Sequence, residues 1–116
     1  DSDCGMIIDN MDFVSQVVAP DGKTWFFHDH GGMANWIKDK SFKDEAKIWV
    51  MTKDTKKYID GRLAWYSRTD STPMKYGFGA YANKQDGFLT FDEMTIKMLR
   101  KEDLRNPYIR KELLGK

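Results

Sequence analysis

The sequence predicts an α+β domain made of two similar strand-strand-helix-strand units and followed by a C-terminal helical extension. Short apolar runs with the two-residue period of strands occur in both halves, and turn signals rich in Gly, Pro and Asp separate them. Apolar residues near the end of the chain instead follow a helical period. At 116 residues the chain suits one domain. We expect that domain to span residues 1–94, with a basic helical extension over 95–116 packed on or beside it.

The first unit begins with an apolar run over residues 13–19. A Pro-Asp-Gly turn at 20–22 follows, so this run and residues 23–28 should form a hairpin. Apolar residues at helical spacing over 33–37 predict a short helix. Alternation over 47–52 then predicts a third strand.

The second unit repeats this plan less clearly. Strands are expected at 57–59 and 63–67, around an Asp-Gly turn. A short helix over 78–84, ended by the Asp-Gly pair at 86–87, should lead to a closing strand over 88–91. Internal pseudo-symmetry would follow from these two units.

The remainder of the chain, residues 92–114, is expected to be helical with a break at Asn106-Pro107. Residues 95–116 hold seven Lys/Arg and three Asp/Glu, a balance of +4. The whole chain has a formal net charge of only +1, which gives no overall attraction to nucleic acid. A basic tail of this kind either docks a partner or forms a solvated helix face.

Composition indicates a folded protein, with 41% hydrophobic and 32% charged residues. No apolar run approaches the roughly 20 residues of a membrane-spanning helix. The first residue is Asp1 rather than Met, so we expect that an upstream segment was removed, either by processing or by trimming.

The single cysteine, Cys4, excludes an intramolecular disulfide, a zinc knuckle and a Cys-x-x-Cys redox pair. Its place near the start of the chain disfavours an inert core role. In Cys4-Gly5-Met6, an extended backbone would put the thiol and the thioether on one face. Two soft sulfur ligands favour copper(I) over zinc, magnesium or calcium.

Both histidines, His28 and His30, lie at the end of the expected second strand and flank Asp29. Imidazole is a common metal ligand, and a neighbouring carboxylate can orient it. Met33 follows closely and suits either the helix core or a metal site. The alternative is that the two histidines are polar residues facing solvent at a strand exit.

A third candidate ligand is Met74, in the Thr-Pro-Met sequence at 72–74 within a polar loop. It stands outside any periodic apolar pattern, so packing does not explain it. Three other methionines stand in strand or helix patterns and are expected to fill the core: Met51, Met94 and Met98.

Other kinds of site fit the sequence poorly. The run 86–93 resembles half of an EF-hand loop, but Ala82 and Lys84 would then occupy ligand positions. No nucleophile elbow, phosphate loop or zinc-protease motif is present, so we expect no enzyme. We also expect no nucleic-acid binding, because three tryptophans lie in predicted strands and look like core residues: Trp25, Trp49 and Trp65.

Taken together, the Cys-Gly-Met start, residues 27–36, the Thr-Pro-Met loop and the run 87–93 resemble the NosL family. These proteins are accessory factors of nitrous oxide reductase. The similarity runs from about residue 4 to residue 94 and rests on the order and spacing of the motifs. The combination of the Cys-Gly-Met start and the Thr-Pro-Met loop is its most specific part.

The resemblance implies a periplasmic copper(I) carrier, usually lipid-anchored, that delivers copper to a recipient protein assembling the copper centres of the reductase. The family's ligands map onto Cys4 and Met74, with Met6 beside them. His28, His30 and Met33 are the candidates that would complete the site. Contact with a membrane is implied only through a lipid anchor that has been removed.

The chain departs from the family at residues 27–33. Family members commonly have Phe-Asp-Asp-x-Gly-Cys-Met there, whereas this chain has Phe-His-Asp-His-Gly-Gly-Met. The second cysteine is therefore absent and two histidines appear. An alternative of another class is a protein-interaction module that uses its basic C-terminal helix, with Cys4 incidental.

Overall fold

The computed structural model describes residues 1–2, 5–8 and 10–115, and it confirms the α+β fold. A 3₁₀ turn at Met11–Phe13 precedes the first strand. The strands and helices follow in this order: β1 (Ser15–Val18), β2 (Thr24–Phe27), α1 (His30–Ile37), β3 (Lys47–Met51), β4 (Tyr58–Asp60), β5 (Trp65–Tyr66), β6 (Ala80–Tyr81), α2 (Phe91–Leu99) and α3 (Pro107–Leu114). Among the helices of the described residues, none has the length and apolar character needed to cross a bilayer.

The first predicted unit is confirmed as β1-β2-α1-β3. The β1–β2 hairpin closes through the Pro-Asp-Gly turn, where Ala19 N donates to Lys23 O at 2.8 Å. Gly22 has a φ of +90°, a backbone conformation that favours glycine. The four-stranded antiparallel sheet has the order β2-β1-β3-β4.

The core lies between one face of this sheet and the helices α1 and α2. Val17, Phe27 and Val50 point inward from β1, β2 and β3 and are fully buried. Met33 and Ile37 of α1 pack against them. The two-residue alternation of apolar side chains along the strands therefore determines which face of the sheet is buried, as the sequence pattern predicted.

The opposite face of the sheet carries partly exposed aromatic side chains. Phe26 and Trp49 are 43% and 37% exposed, and Tyr58 is exposed as well. The expectation that Trp49 is a core residue is therefore wrong, because its side chain alternates outward from Ile48 and Val50. Trp25 is partly buried against the core, and Trp65 is half-buried on β5.

The second unit differs from the prediction, because residues 78–84 form no helix. Ala80–Tyr81 is instead β6, which pairs antiparallel with β5. Phe78 and Ala80 are both fully buried, at the two-residue spacing of a strand. A Cβ on Gly79 would lie 2.0 Å from Asp70 Oδ2, so the backbone runs against the Asp70 carboxylate. Close packing of Gly79 against Asp70 therefore determines the extended conformation here, not helical periodicity.

The closing strand expected over 88–91 is reduced to one bridge between Leu89 and Tyr66. Thr90 is instead the N-cap of α2, and its side chain and that of Glu93 form a capping box. Met94 and Met98 of α2 lie in the core. The expected boundary after residue 94 thus falls inside a helix that packs on α1.

The C-terminal helical segments are separated by an irregular stretch over 100–106. Leu104 in this stretch is buried, and its backbone N donates to Tyr76 O at 3.1 Å. α3 follows, with the Asn106 side chain as N-cap, and none of its residues is buried. α2 therefore belongs to the core, whereas α3 lies on the surface.

Candidate metal centre

The candidate centre lies where β2 ends and α1 begins. Asp29, between the two histidines, is the N-cap of α1, and its Oδ1 accepts a hydrogen bond from Gly31 N at 3.1 Å. Aspartate is a preferred N-cap because its carboxylate satisfies backbone N–H groups that have no partner within the helix. Asp29 is nevertheless only 1% exposed, which is unusual for a charged residue.

Asp29 also holds the Thr-Pro-Met loop. Its second oxygen, Oδ2, accepts a hydrogen bond from Met74 N at 2.8 Å. Burial raises the pKa of Asp29, and hydrogen bonds from the Thr72 side chain and from three backbone groups oppose this rise. Two of the motifs predicted to contribute ligands are thereby held against each other.

Close packing reinforces this junction between α1 and the loop. A Cβ added to Gly31 would lie 2.6 Å from Tyr76 Cβ, so the loop approaches the first turn of α1 as closely as glycine permits. Gly32, the next residue, has open space around the same position. The loop therefore docks on one side of this turn only.

The N-terminal residues reach the same strand exit. Asp1 Oδ2 accepts hydrogen bonds from His28 N at 2.8 Å and contacts His28 Nδ1 at 2.5 Å. Ser2 N donates to Phe26 O at 2.7 Å, which ties the segment to the edge of β2. Cys4 lies outside the described residues.

His28 is 4% exposed and His30 is fully buried, so the alternative in which both histidines face solvent is wrong. Their partners also differ. His30 Nδ1 lies 2.5 Å from Ser15 Oγ, and its ring packs edge-on to Phe13 and Tyr66. The two imidazoles are thus held by different parts of the fold.

His30 is neutral in the folded protein. Burial lowers its pKa to about 3, and the Asp70 carboxylate only partly opposes this. Its Nε2 is buried and has no hydrogen-bond partner among the described residues. A neutral ring bonded through Nδ1 fills this part of the core without introducing a charge.

The methionines of the predicted site lie at different depths. Met6 is 51% exposed and Met74 is half-buried, whereas Met33 is completely buried in the core cluster. Gly5 has a φ of +72°, so the backbone before Met6 is not extended. The expected same-face arrangement of Cys4 and Met6 involves Cys4 and so lies outside the described residues.

Among the residues that the structure describes, no three His, Cys, Asp or Glu side chains converge as a metal site. Cys4 lies outside these residues, and thioether sulfur is not among these groups. A metal centre at this junction therefore depends on the sulfur ligands. Asp1 was not predicted as a support of this site. Asp29 was expected to orient an imidazole, whereas it accepts hydrogen bonds from the first turn of α1 and from the methionine loop. The N-cap preference of an aspartate just before a helix was the available signal for Asp29.

Comparisons of the chain with protein-family models, with curated proteins and with solved structures give no significant match. The centre is thus defined by its own geometry. It is a junction at which a helix N-cap carboxylate holds a methionine loop beside a buried histidine.

Proposed function

We propose that this chain is a periplasmic copper(I) carrier of the NosL kind, which delivers copper for assembly of the copper centres of nitrous oxide reductase. One observation carries the proposal: Asp29 Oδ2 lies 2.8 Å from Met74 N. This bond holds the methionine loop at the strand exit where Asp1 contacts His28. Three segments that resemble the family's ligand motifs are distant in sequence, and two of them meet here directly.

The donor set suits copper(I) as transported cargo. Thioethers of Met6 and Met74 are soft ligands, and a thiolate from Cys4 would complete a sulfur site. Met6 and Met74 lie on an N-terminal segment and a loop rather than in the core, which suits release by ligand exchange. Asp1 contacts His28 Nδ1, so its carboxylate orients the imidazole.

His30 and Met33 have supporting roles in this proposal. Both side chains are fully buried, and His30 is bonded to Ser15. A carrier has to exchange its metal with other proteins, and ligands at this depth are poorly placed for exchange. We assign the exchangeable positions to Cys4, Met6 and Met74, with His28 beside them.

The test is an anaerobic titration of copper(I) against a chromogenic chelator. We would compare the wild-type protein with Cys4→Ala and with Met74→Leu, which removes the thioether and keeps the volume. Met11→Leu is the matched control, because Met11 is 51% exposed, like Met6, and has no role in the site. We expect one tight equivalent in the wild type and the control, and its loss in the other two variants.

No competition with the chelator by the wild-type protein would contradict the carrier function. The alternative is then a protein-interaction module in which Cys4 is incidental. One observation favours it: α3 buries none of its residues and leaves Tyr108 85% exposed. In that case the Cys4→Ala variant would still bind the partner protein, and a variant truncated before α3 would not bind it.

A further inference from the structure

Two neighbouring cavities, one of them lined by Met74, carry several cationic side chains. The first has a volume of about 460 Å³ and is lined in part by Lys38, Lys101 and Arg105. The second has a volume of about 340 Å³ and is lined in part by Lys75, Arg105 and Arg110. Arg105 lines both, so the two cavities adjoin at its side chain. We call this combined surface the basic cleft.

The positive charge of the basic cleft is only partly offset within the described part of the chain, by the electrostatic interaction of Asp103 with Arg105. None of its five cationic side chains forms an ion pair with another described residue. The single carboxylate in its walls, Asp103, is only 6% exposed and accepts a hydrogen bond from Arg105 N. The accessible polar groups are therefore mainly cations, and such a concave positive surface attracts anionic groups.

Two of these cations are held in position by neutral groups. Arg105 donates to Tyr76 OH at 3.0 Å and stacks on the Tyr76 ring at 5.1 Å. Lys38 Nζ donates to Asn35 Oδ1 at 2.7 Å. A guanidinium held by a tyrosine keeps its full charge and retains donors for a carboxylate.

We propose that the basic cleft binds an acidic segment of the protein that exchanges copper with this chain. Met74 lines the cleft beside Lys75, so a partner docked there would lie next to a proposed copper ligand. This inference rests on the proposed function for the identity of the partner. The attraction of the cleft for carboxylates follows from its own charges and can be measured without copper.

The chemistry of the cleft fits a polypeptide better than a nucleic acid. Single-stranded nucleic acid binds through bases stacked on open aromatic rings. Among the described residues, Tyr76 is the one aromatic side chain in the cleft walls, and the Arg105 guanidinium covers it. The chain as a whole carries a net charge of only +1, so it lacks the general attraction to a polyanion.

The first experiment measures binding of a fluorescein-labelled peptide of alternating Glu and Gly to the copper-free protein by anisotropy. The same peptide with Gln in place of Glu, and an oligothymidylate, are compared with it. The cleft variant combines Lys75→Gln, Arg105→Gln and Arg110→Gln. The control variant makes the same charge change at exposed lysines outside the cleft: Lys43→Gln, Lys47→Gln and Lys57→Gln.

We expect the cleft variant to lose about tenfold in affinity for the Glu peptide and the control variant to change by less than about twofold. Circular dichroism confirms that both variants are folded. Equal losses in the two variants would overturn the proposal, because they would show attraction by overall charge alone. Tighter binding of the oligothymidylate than of the Glu peptide would also overturn it, in favour of a nucleic-acid partner.

A second experiment follows transfer of copper(I) from the loaded protein to methionine-rich peptides flanked by Glu or by Gln. Faster transfer to the Glu form, lost in the cleft variant, is the expected result. Equal rates to both forms would overturn the docking proposal while leaving the carrier function intact. If the protein takes up no copper, the carrier function fails, and preference for the Glu peptide by the copper-free cleft still supports the cleft as an acidic-segment site.

Discussion

Two residues of the candidate centre, Asp29 and His30, show how burial acts on adjacent ionisable groups. Burial raises the pKa of Asp29, but hydrogen bonds from the methionine loop and the helix N-terminus oppose this rise. Burial lowers the pKa of His30 to about 3, and no described group bonds its Nε2. The carboxylate is thus used to hold two segments together, whereas the imidazole is kept neutral.

The depressed pKa of His30 predicts a loss of stability in mild acid. Its folded pKa of about 3 lies below the ordinary value of 6.5, so the unfolded chain binds the proton first as pH falls. Its contribution is therefore present above pH 6.5 and is lost progressively on acidification towards pH 3. Urea unfolding of the copper-free protein should show a loss of roughly 2 kcal/mol from His30 between about pH 6.5 and 4.5.

The control for this measurement is His30→Gln, which keeps a polar partner for Ser15 but has no proton to gain in this range. Its stability at neutral pH will be lower, and its slope over the same pH interval should be shallower by about 1 kcal/mol per pH unit. Carboxylates with raised pKa, such as Asp103, oppose the trend in both proteins and cancel in the comparison. Parallel slopes would mean that His30 is protonated in the folded state.

At the scale of the element, the first turn of α1 joins the helix to the methionine loop. Gly31 and Gly32 are adjacent in this turn but meet different surroundings. The Cβ position of Gly31 collides with Tyr76, whereas that of Gly32 is in open space. Alanine is preferred over glycine inside a helix, and this preference applies to both positions. A difference between the two alanine substitutions therefore measures the packing of Tyr76 against Gly31.

We expect Gly31→Ala to destabilise the protein by about 2 kcal/mol, because the methyl group must displace the Tyr76 side chain and the loop. Gly32→Ala should instead stabilise it by up to about 1 kcal/mol. Urea unfolding gives both values, and the amide NMR signal of Met74 reports displacement of the loop. Equal effects of the two substitutions would show that the loop does not depend on this contact.

Sequence periodicity was informative where an element buries one regular face. The alternation in β1 and β3 and the helical spacing in α1 predicted the first unit, including its hairpin turn. The second unit is governed by non-local pairing between β5 and β6, which a local pattern does not encode. Two glycines, Gly77 and Gly79, were the overlooked signals against a helix there. The Thr90 and Glu93 capping box was the overlooked start of α2.

The sequence predicted which residue types form the candidate centre, but it did not predict how deeply their side chains are buried. The sequence singled out His28, His30 and Met74. It could not show that both histidines are buried, because burial at a strand exit depends on distant segments. Asp1 covers His28 from 27 positions away, and the bond from Asp29 to Met74 spans 45 positions. Such contacts follow from tertiary packing rather than from spacing along the chain.

At the scale of the whole molecule, the C-terminal region divides differently from the expected domain boundary. α2 contributes Met94 and Met98 to the core. Leu104 packs closely on Gly77, because a Cβ added to Gly77 would lie 2.6 Å from Leu104 Cγ. α3 buries none of its residues. The folding unit therefore continues to about residue 106, and only the last helix is separable from it.

Two truncations test this division. A chain ending at Asn106 should remain folded and lose less than about 1 kcal/mol, because the removed helix has no buried side chain. A chain ending at Met94 loses the buried side chains of Met98 and Leu104, each of which contributes about 2–5 kcal/mol to the free energy of unfolding. It also loses the second half of α2. Because the total free energy of unfolding of a domain is about 5–15 kcal/mol, we expect this chain not to fold. Thermal unfolding followed by circular dichroism measures both. A cooperative transition in the chain ending at Met94 would place the domain boundary at residue 94. Loss of the transition in the chain ending at Asn106 would show that α3 is part of the folding unit.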